Sequence, residues 1–145
     1  RVAAVSVAGP QGVTDRLVSG EPCTIEITYE LVEPVTPVTT VTVKTVDGTL
    51  IAGVDDRSDF DPVAGATGFR TVRLHIDRLP LMEGRFAVDV MLERETGGYP
   101  FHQVERAVEF TVFSSGRGFG PVALAGQWET SAGTDPAAGE RMASG

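Results

Sequence analysis

The sequence predicts an all-β fold, a two-layer antiparallel β-sandwich of about eight strands, and two observations carry that prediction. Apolar and polar residues alternate through strand-length runs from Val2 to about Trp128, and each run is closed by a short turn of Gly, Pro or Asp. Alternation at period two sends successive side chains to opposite faces of a strand, so one face is buried and the other is wet. The clearest run sets Cys23, Ile25, Ile27, Tyr29 and Leu31 against Thr24, Glu26, Thr28, Glu30 and Val32. The pattern returns in Val72, Leu74 and Ile76, in Phe86, Val88, Val90 and Leu92, and in Val108, Phe110 and Val112, enough for both layers of a core. No catalytic signature interrupts it, which points to a binding module and leaves the ligand open.

The elements follow from the punctuation. Val2 to Ala8 reads as a first strand ended by Gly9-Pro10-Gln11-Gly12, and Ser19-Gly20-Glu21-Pro22 launches the long strand that ends near Glu33. Pro34 and Pro37 break the chain before a Val/Thr strand from Thr39 to Val46. Asp47-Gly48 then favours a tight hairpin, because Gly tolerates positive φ, and Leu50 to Val54 returns. Asp55 to Gly68 is acidic and turn-rich and reads as an exposed crossing loop. Strands follow at Gly68–Arg78, Arg85–Glu95 and Val104–Phe113, with a compact apolar turn at Leu79–Gly84 and a loop at Thr96–His102. A short last strand is expected from Pro121 to Gly126. Residues 1–128 thus form one domain, and Glu129 to Gly145, without periodicity, reads as a disordered tail.

Composition narrows the function. A chain of 145 residues fits one domain, which at this size buries roughly 68–70% of the surface its unfolded chain exposes. A net charge of −8 with a single lysine, Lys44, argues against a nucleic-acid partner, whose backbone needs clustered cations. The lone Cys23 sits at an inward position, so no internal disulfide forms and a buried structural thiol is expected. There is no apolar run long enough to span a bilayer and no secretory leader pattern. The opening at Arg1 reads as a segment of a longer protein.

The punctuation, taken in order, resembles a family. Gly20-Glu21 before a long alternating strand, Asp47-Gly48 with Ile51 and Gly53, Leu79-Pro80-Leu81 with Gly84, His102 with Glu105 ahead of Phe110 and Val112, and a closing Gly126 and Trp128 are similar to the C-terminal carbohydrate-binding domain of Wzt-type ATP-binding subunits. Those subunits serve ABC exporters of O-antigen and related polysaccharides. The resemblance covers roughly Val2 to Trp128. It implies an immunoglobulin-like sandwich that dimerises and recognises a finished glycan. It also implies a place on the cytoplasmic side of the membrane, beside the ATPase domain and membrane subunit of an exporter. The chain has no Gly-x-x-x-x-Gly-Lys-Ser/Thr phosphate loop, since Lys44 lies in a Val/Thr strand.

An immunoglobulin-like topology puts the strands at 39–46, 84–95 and 104–113 in one sheet. Its outer face then carries Thr40, Thr42, Lys44, Asp89, Met91, Glu93, Glu109 and Thr111. Donors and acceptors on a rigid sheet, with Met91 to pack on a sugar ring, make a carbohydrate platform, although an ordinary solvated face has the same pattern. Tyr99 and His102 join the candidates as a loop aromatic and a hydrogen-bonding imidazole. Phe101 and His102 could equally anchor that loop. The opposite sheet, 23–32 with 69–77, carries Glu26, Arg73 and His75, which read as cross-strand pairs. Trp128 reads as a core or interface plug.

Chemistry beyond binding finds no support. Asp55, Asp56, Asp59 and Asp61 lack the Gly and Glu that a calcium loop needs in register, so no metal or other cofactor is expected. There is no Gly-x-Ser-x-Gly elbow, and only His75 and His102 offer an imidazole. Asp89 and Glu93 are two acids on one strand face, a common arrangement that is no argument for a glycosidase. The expectation is therefore a non-catalytic glycan reader with a polysaccharide partner. A structural or adhesive sandwich without sugar binding is the alternative.

Overall fold

The computed structural model describes residues 1–34, 37–57, 67–94 and 100–136, the side chains of residues 100 and 101 excepted. Among the described residues nine strands build two sheets. They are β1 (Val2–Gly9), β2 (Gly12–Val13), β3 (Arg16–Val18), β4 (Cys23–Leu31), β5 (Pro37–Thr45), β6 (Leu50–Asp55), β7 (Gly68–Ile76), β8 (Gly84–Arg94) and β9 (Pro100–Phe113). One sheet runs β2-β1-β4-β7 and the other β3-β9-β8-β5-β6. The expected pairings of β4 with β7 and of β5, β8 and β9 are those observed.

Alternation in β4 does what period two requires: Cys23, Ile25, Ile27, Tyr29 and Leu31 are buried and the residues between them are not. They meet Val41, Phe86, Val88, Val90, Leu92, Phe110 and Val112 of the other sheet in one hydrophobic core. Phe86 and Phe110 stack there with ring centroids 5.7 Å apart. Burial pushes the Cys23 thiol above its ordinary pKa, as expected of a structural cysteine.

The β5–β6 hairpin turns at Asp47-Gly48, where Gly48 has φ 97° and its N–H donates to the Thr45 carbonyl at 2.9 Å. The Thr45 hydroxyl donates to the Asp47 carboxylate, which lowers that carboxyl's pKa. Gly tolerates this positive φ without the Cβ clash that other residues meet.

Two elements differ from the expectation. The stretch between the first strand and β4 holds β2 and β3, and β3 pairs in parallel with β9, Leu17 opposite Val112. A two- or three-residue strand has no period to read, so the sequence pattern passes over it. Conversely, Pro121–Gly126 forms no strand. The segment makes one isolated bridge, Val122 with Leu81, supported by hydrogen bonds from the Met82 N–H to the Pro121 carbonyl and from the Ala123 N–H to the Pro80 carbonyl. Pro80 and Pro121 have no N–H to extend a ladder. Trp128, expected as a core or interface plug, is fully exposed in this chain and so is no core residue. Residues 58–66 of the crossing loop, with Asp59 and Asp61, lie outside the described residues, as do Tyr99 and residues 137–145 of the expected tail. No helix among the described residues is long and apolar enough to cross a membrane.

Candidate functional site

The outer face of the five-stranded sheet gathers most of the candidates. Register places Thr40 opposite Met91 and Thr42 opposite Asp89 on one side, and Thr40 opposite Asp55 and Thr42 opposite Gly53 on the other. Lys44 lies opposite Ala87, which in turn faces Glu109, while Arg85 faces Thr111. Strand parity therefore brings Thr40, Thr42, Lys44, Asp89, Met91, Glu93, Glu109 and Thr111 to one surface. His102 departs from it. It pairs with Leu92, an inward position, and lines a concavity of about 300 Å³ at the end of the sandwich with Arg1, Glu33 and Arg94. The rim of that concavity is tied by Arg94 to Glu33 at 3.4 Å.

Asp89 also departs from the expectation of an exposed sugar contact. It is only 7% exposed, because β9 bulges over it. Val88 pairs with Val108 but Val90 pairs with Val104, so Glu105, Arg106 and Ala107 stand opposite Asp89 alone, two residues in excess on the β9 side. Arg106 takes φ 51°, and its N–H donates to Asp89 Oδ1 at 2.8 Å. Lys44 Nζ meets the other oxygen at 2.6 Å. Burial works against the Asp89 carboxylate, but the Arg106 N–H and the Lys44 ammonium outweigh it and hold its pKa below the ordinary value. The same contact holds the Lys44 ammonium above its ordinary value. Asp89 is thus an anchor for the bulge.

The Glu93 and Glu109 carboxylates of the face are also paired. Arg57 reaches Glu93 at 3.1 Å, and Glu109 is shared by Arg106 at 2.8 Å and Arg85 at 3.5 Å. Arg57 and Arg106 were not legible as part of this surface from period-two parity, whereas Arg85 shares the parity of Asp89, Met91 and Glu93. The available signal was Arg106 itself, a charge at the inward position between Val104 and Val108. The result is a sheet surface of near-zero local charge that offers donors, acceptors, three threonine hydroxyls and the half-buried thioether of Met91. Such a surface can exchange hydrogen bonds with a hydroxyl-rich ligand but cannot concentrate an ion.

The opposite sheet behaves as cross-strand pairing predicts. Arg73 meets Glu26 at 2.8 Å, the Thr28 and Thr71 hydroxyls are 3.0 Å apart, and the Thr24 hydroxyl is 3.1 Å from His75 Nδ1. No cluster of His, Cys, Asp and Glu suited to a metal ion occurs among the described residues.

A family model described as the Wzt C-terminal domain matches residues 1–124. No curated protein matches the sequence. Among solved structures, the chain is similar to the crystal structure of the C-terminal domain of Wzt, with a TM-score of 0.76 at 13% identity over 90% of this chain and 83% of that one. At that identity the likeness is one of fold. Looser overlaps join it to a CARDB domain from Pyrococcus furiosus in complex with di-metal ions (TM-score 0.37, 18% identity, 77% of this chain and 85% of that one). Another is to an alkylpurine DNA glycosylase from Pseudomonas fluorescens bound to DNA containing an abasic site analogue (0.42, 18%, 77% and 31%). Neither overlap is close enough to bear on this chain.

Proposed function

The chain belongs to the Wzt C-terminal domain family, and from that premise we propose that it is a non-catalytic reader of a cell-surface polysaccharide, lending glycan selectivity to an ABC exporter. The observation that carries the reading is the outer face of the β3-β9-β8-β5-β6 sheet, where Thr40, Thr42, Met91, Lys44 and Glu93 adjoin in register and the charges of Lys44 and Glu93 are each neutralised by a neighbour. A neutral, hydroxyl-rich polymer suits such a surface, because each hydroxyl can trade water for a fixed donor or acceptor at little net cost. An open sheet face gives modest affinity, and a dimer would compensate by engaging a repetitive chain twice.

The exposed Phe119, Leu124 and Trp128 supply apolar surface for a second copy. On this reading residues 1–128 form the binding domain, and the domain works at the cytoplasmic face of the membrane beside the exporter's ATPase and membrane subunits. A structural module without sugar binding draws on the same paired charges, which would then be an ordinary solvated face. Titration with the polysaccharide of the source strain separates the two: saturable amide shifts on β5 and β8 support the reader, and their absence supports the structural module.

A further inference from the structure

A cavity of about 230 Å³ lies between the sheets, on the side of the sandwich where the edge strands β6 and β7 are joined by no further strand among the described residues. Its floor is buried core, including Val7, Leu17 and Phe110, and its rim includes exposed Ala52 of β6 and half-buried Ile76 of β7. Every residue that lines it is apolar, a glycine, a proline or the buried Cys23, so no charged or hydroxyl side chain faces it. It is a slot rather than a closed bowl: an adjoining concavity of about 290 Å³ shares Val41, Val54 and Leu74 with it and leads to Asp55 and Asp56. Neither carboxylate meets a cationic side chain among the described residues, and Arg73 on the same wall is held by Glu26 at 2.8 Å.

Protein interiors leave few voids larger than a water molecule, and an apolar void costs stability in proportion to its volume. Water does not relieve that cost where no side-chain donor or acceptor faces it. The chain's own apolar C-terminal segment does not fill the slot either. The Ala123 N–H donates to the carbonyl of Pro80, a lining residue, at 2.9 Å, yet Leu124 beside it is 97% exposed. Hydrocarbon does relieve the cost: a dry cavity of roughly 150 Å³ lined by such residues takes up benzene. This slot is larger than that, but it is smaller than the roughly 300–1,000 Å³ that encloses a whole ligand. It therefore takes a length of hydrocarbon chain and leaves the polar end outside. That end emerges past Val54 beside Asp55 and Asp56, whose charges repel an anionic head and tolerate a neutral or cationic one.

We propose that the slot between β6 and β7 binds the aliphatic chain of a free amphiphile whose head carries no negative charge, the chain against the core and the head beside Asp55 and Asp56. The slot shares none of the candidate residues of the sheet face and stands or falls separately from that reading. Methyl and amide shifts of the whole chain are followed while butanol, hexanol, octanol, octylamine and octanoate are added singly. The expected result is saturable shifts at Val43, Leu74 and Ile76 with the alcohols, the affinity rising about fourfold per added methylene as apolar surface leaves water. Octylamine should bind at least as well as octanol, and octanoate about tenfold more weakly or not at all.

Two variants separate the slot from general attraction to hydrocarbon. Ala52→Phe, opposite Val43 on the edge strand, fills the slot; it should melt no lower than the parent and lose the octanol shifts. Asp55→Asn with Asp56→Asn keeps the slot and removes the repulsion, so octanoate should then bind about as well as octanol. No saturable shifts with octanol, no dependence on chain length, shifts that survive Ala52→Phe, or equal binding of octanoate and octanol by the parent would each overturn the proposal. So would slot signals that move with phosphatidylcholine vesicles and not with octanol, which would make the slot a membrane contact. Slot signals that move on dilution of the protein alone and not with octanol would give the slot to a second copy and overturn it as well.

Discussion

Replacing Asp89 with alanine tests whether the shape of the sheet face depends on one buried carboxylate. Asp89 is 7% exposed, accepts the Arg106 N–H at 2.8 Å and faces Lys44 Nζ at 2.6 Å. Losing a hydrogen bond to a charged acceptor costs about 1.5–3 kcal/mol. Relaxation of Arg106 from its φ of 51° returns part of that, about 1 kcal/mol. The net loss is then about 0.5–2 kcal/mol, or roughly 2–8 °C in Tm at about 4 °C per kcal/mol for a domain of this size. Calorimetric melts at pH 7 measure it directly.

The pH dependence adds a second reading. Since the folded-state pKa lies below the ordinary 3.8, the contribution of Asp89 is complete above that value and is lost as pH falls through the folded pKa. The gap between the parent and the variant should therefore hold from pH 7 to 5 and close only below about 3.8. A variant that melts within about 2 °C of the parent at pH 7 would refute the idea that Asp89 anchors the bulge.

Further outcomes follow from the same structure. Burial raises the Asp56 carboxyl, so ionisation at neutral pH is penalised; Asp56→Asn should be more stable than the parent in urea at pH 7, by a margin that shrinks as pH falls toward 3.8. Cys23, buried and raised by that burial, should react with a thiol reagent far more slowly in the folded domain than in urea. If a second copy covers the exposed apolar residues, the double variant Leu124→Ser with Trp128→Ser should sediment as a monomer at concentrations where the parent is a dimer. Equal sedimentation of the two would remove that surface as the dimer contact.

The fold was legible where burial is one-sided. The Cys23–Leu31 strand is read directly because each inward residue is apolar and each outward one is not, Val32 lying just beyond its end. The sheet partners follow once the immunoglobulin-like order is assumed. Period two says nothing where it is interrupted: β3 is too short to alternate, and the β9 bulge exposes Arg106 at a nominally inward position between Val104 and Val108. The site was legible as a set of face positions and not as a network. Asp89 reads as an outward acid in sequence, and only the bulge above it makes it an anchor.

The measurement that bears most directly on the central claim is titration of the domain with polysaccharide from its own source strain beside an unrelated glycan, followed by amide shifts. The account predicts saturable shifts for the cognate glycan alone, centred on Thr40, Thr42, Lys44, Met91 and Glu93. Absence of shifts at millimolar repeat-unit concentration, or equal shifts with both glycans, would contradict it.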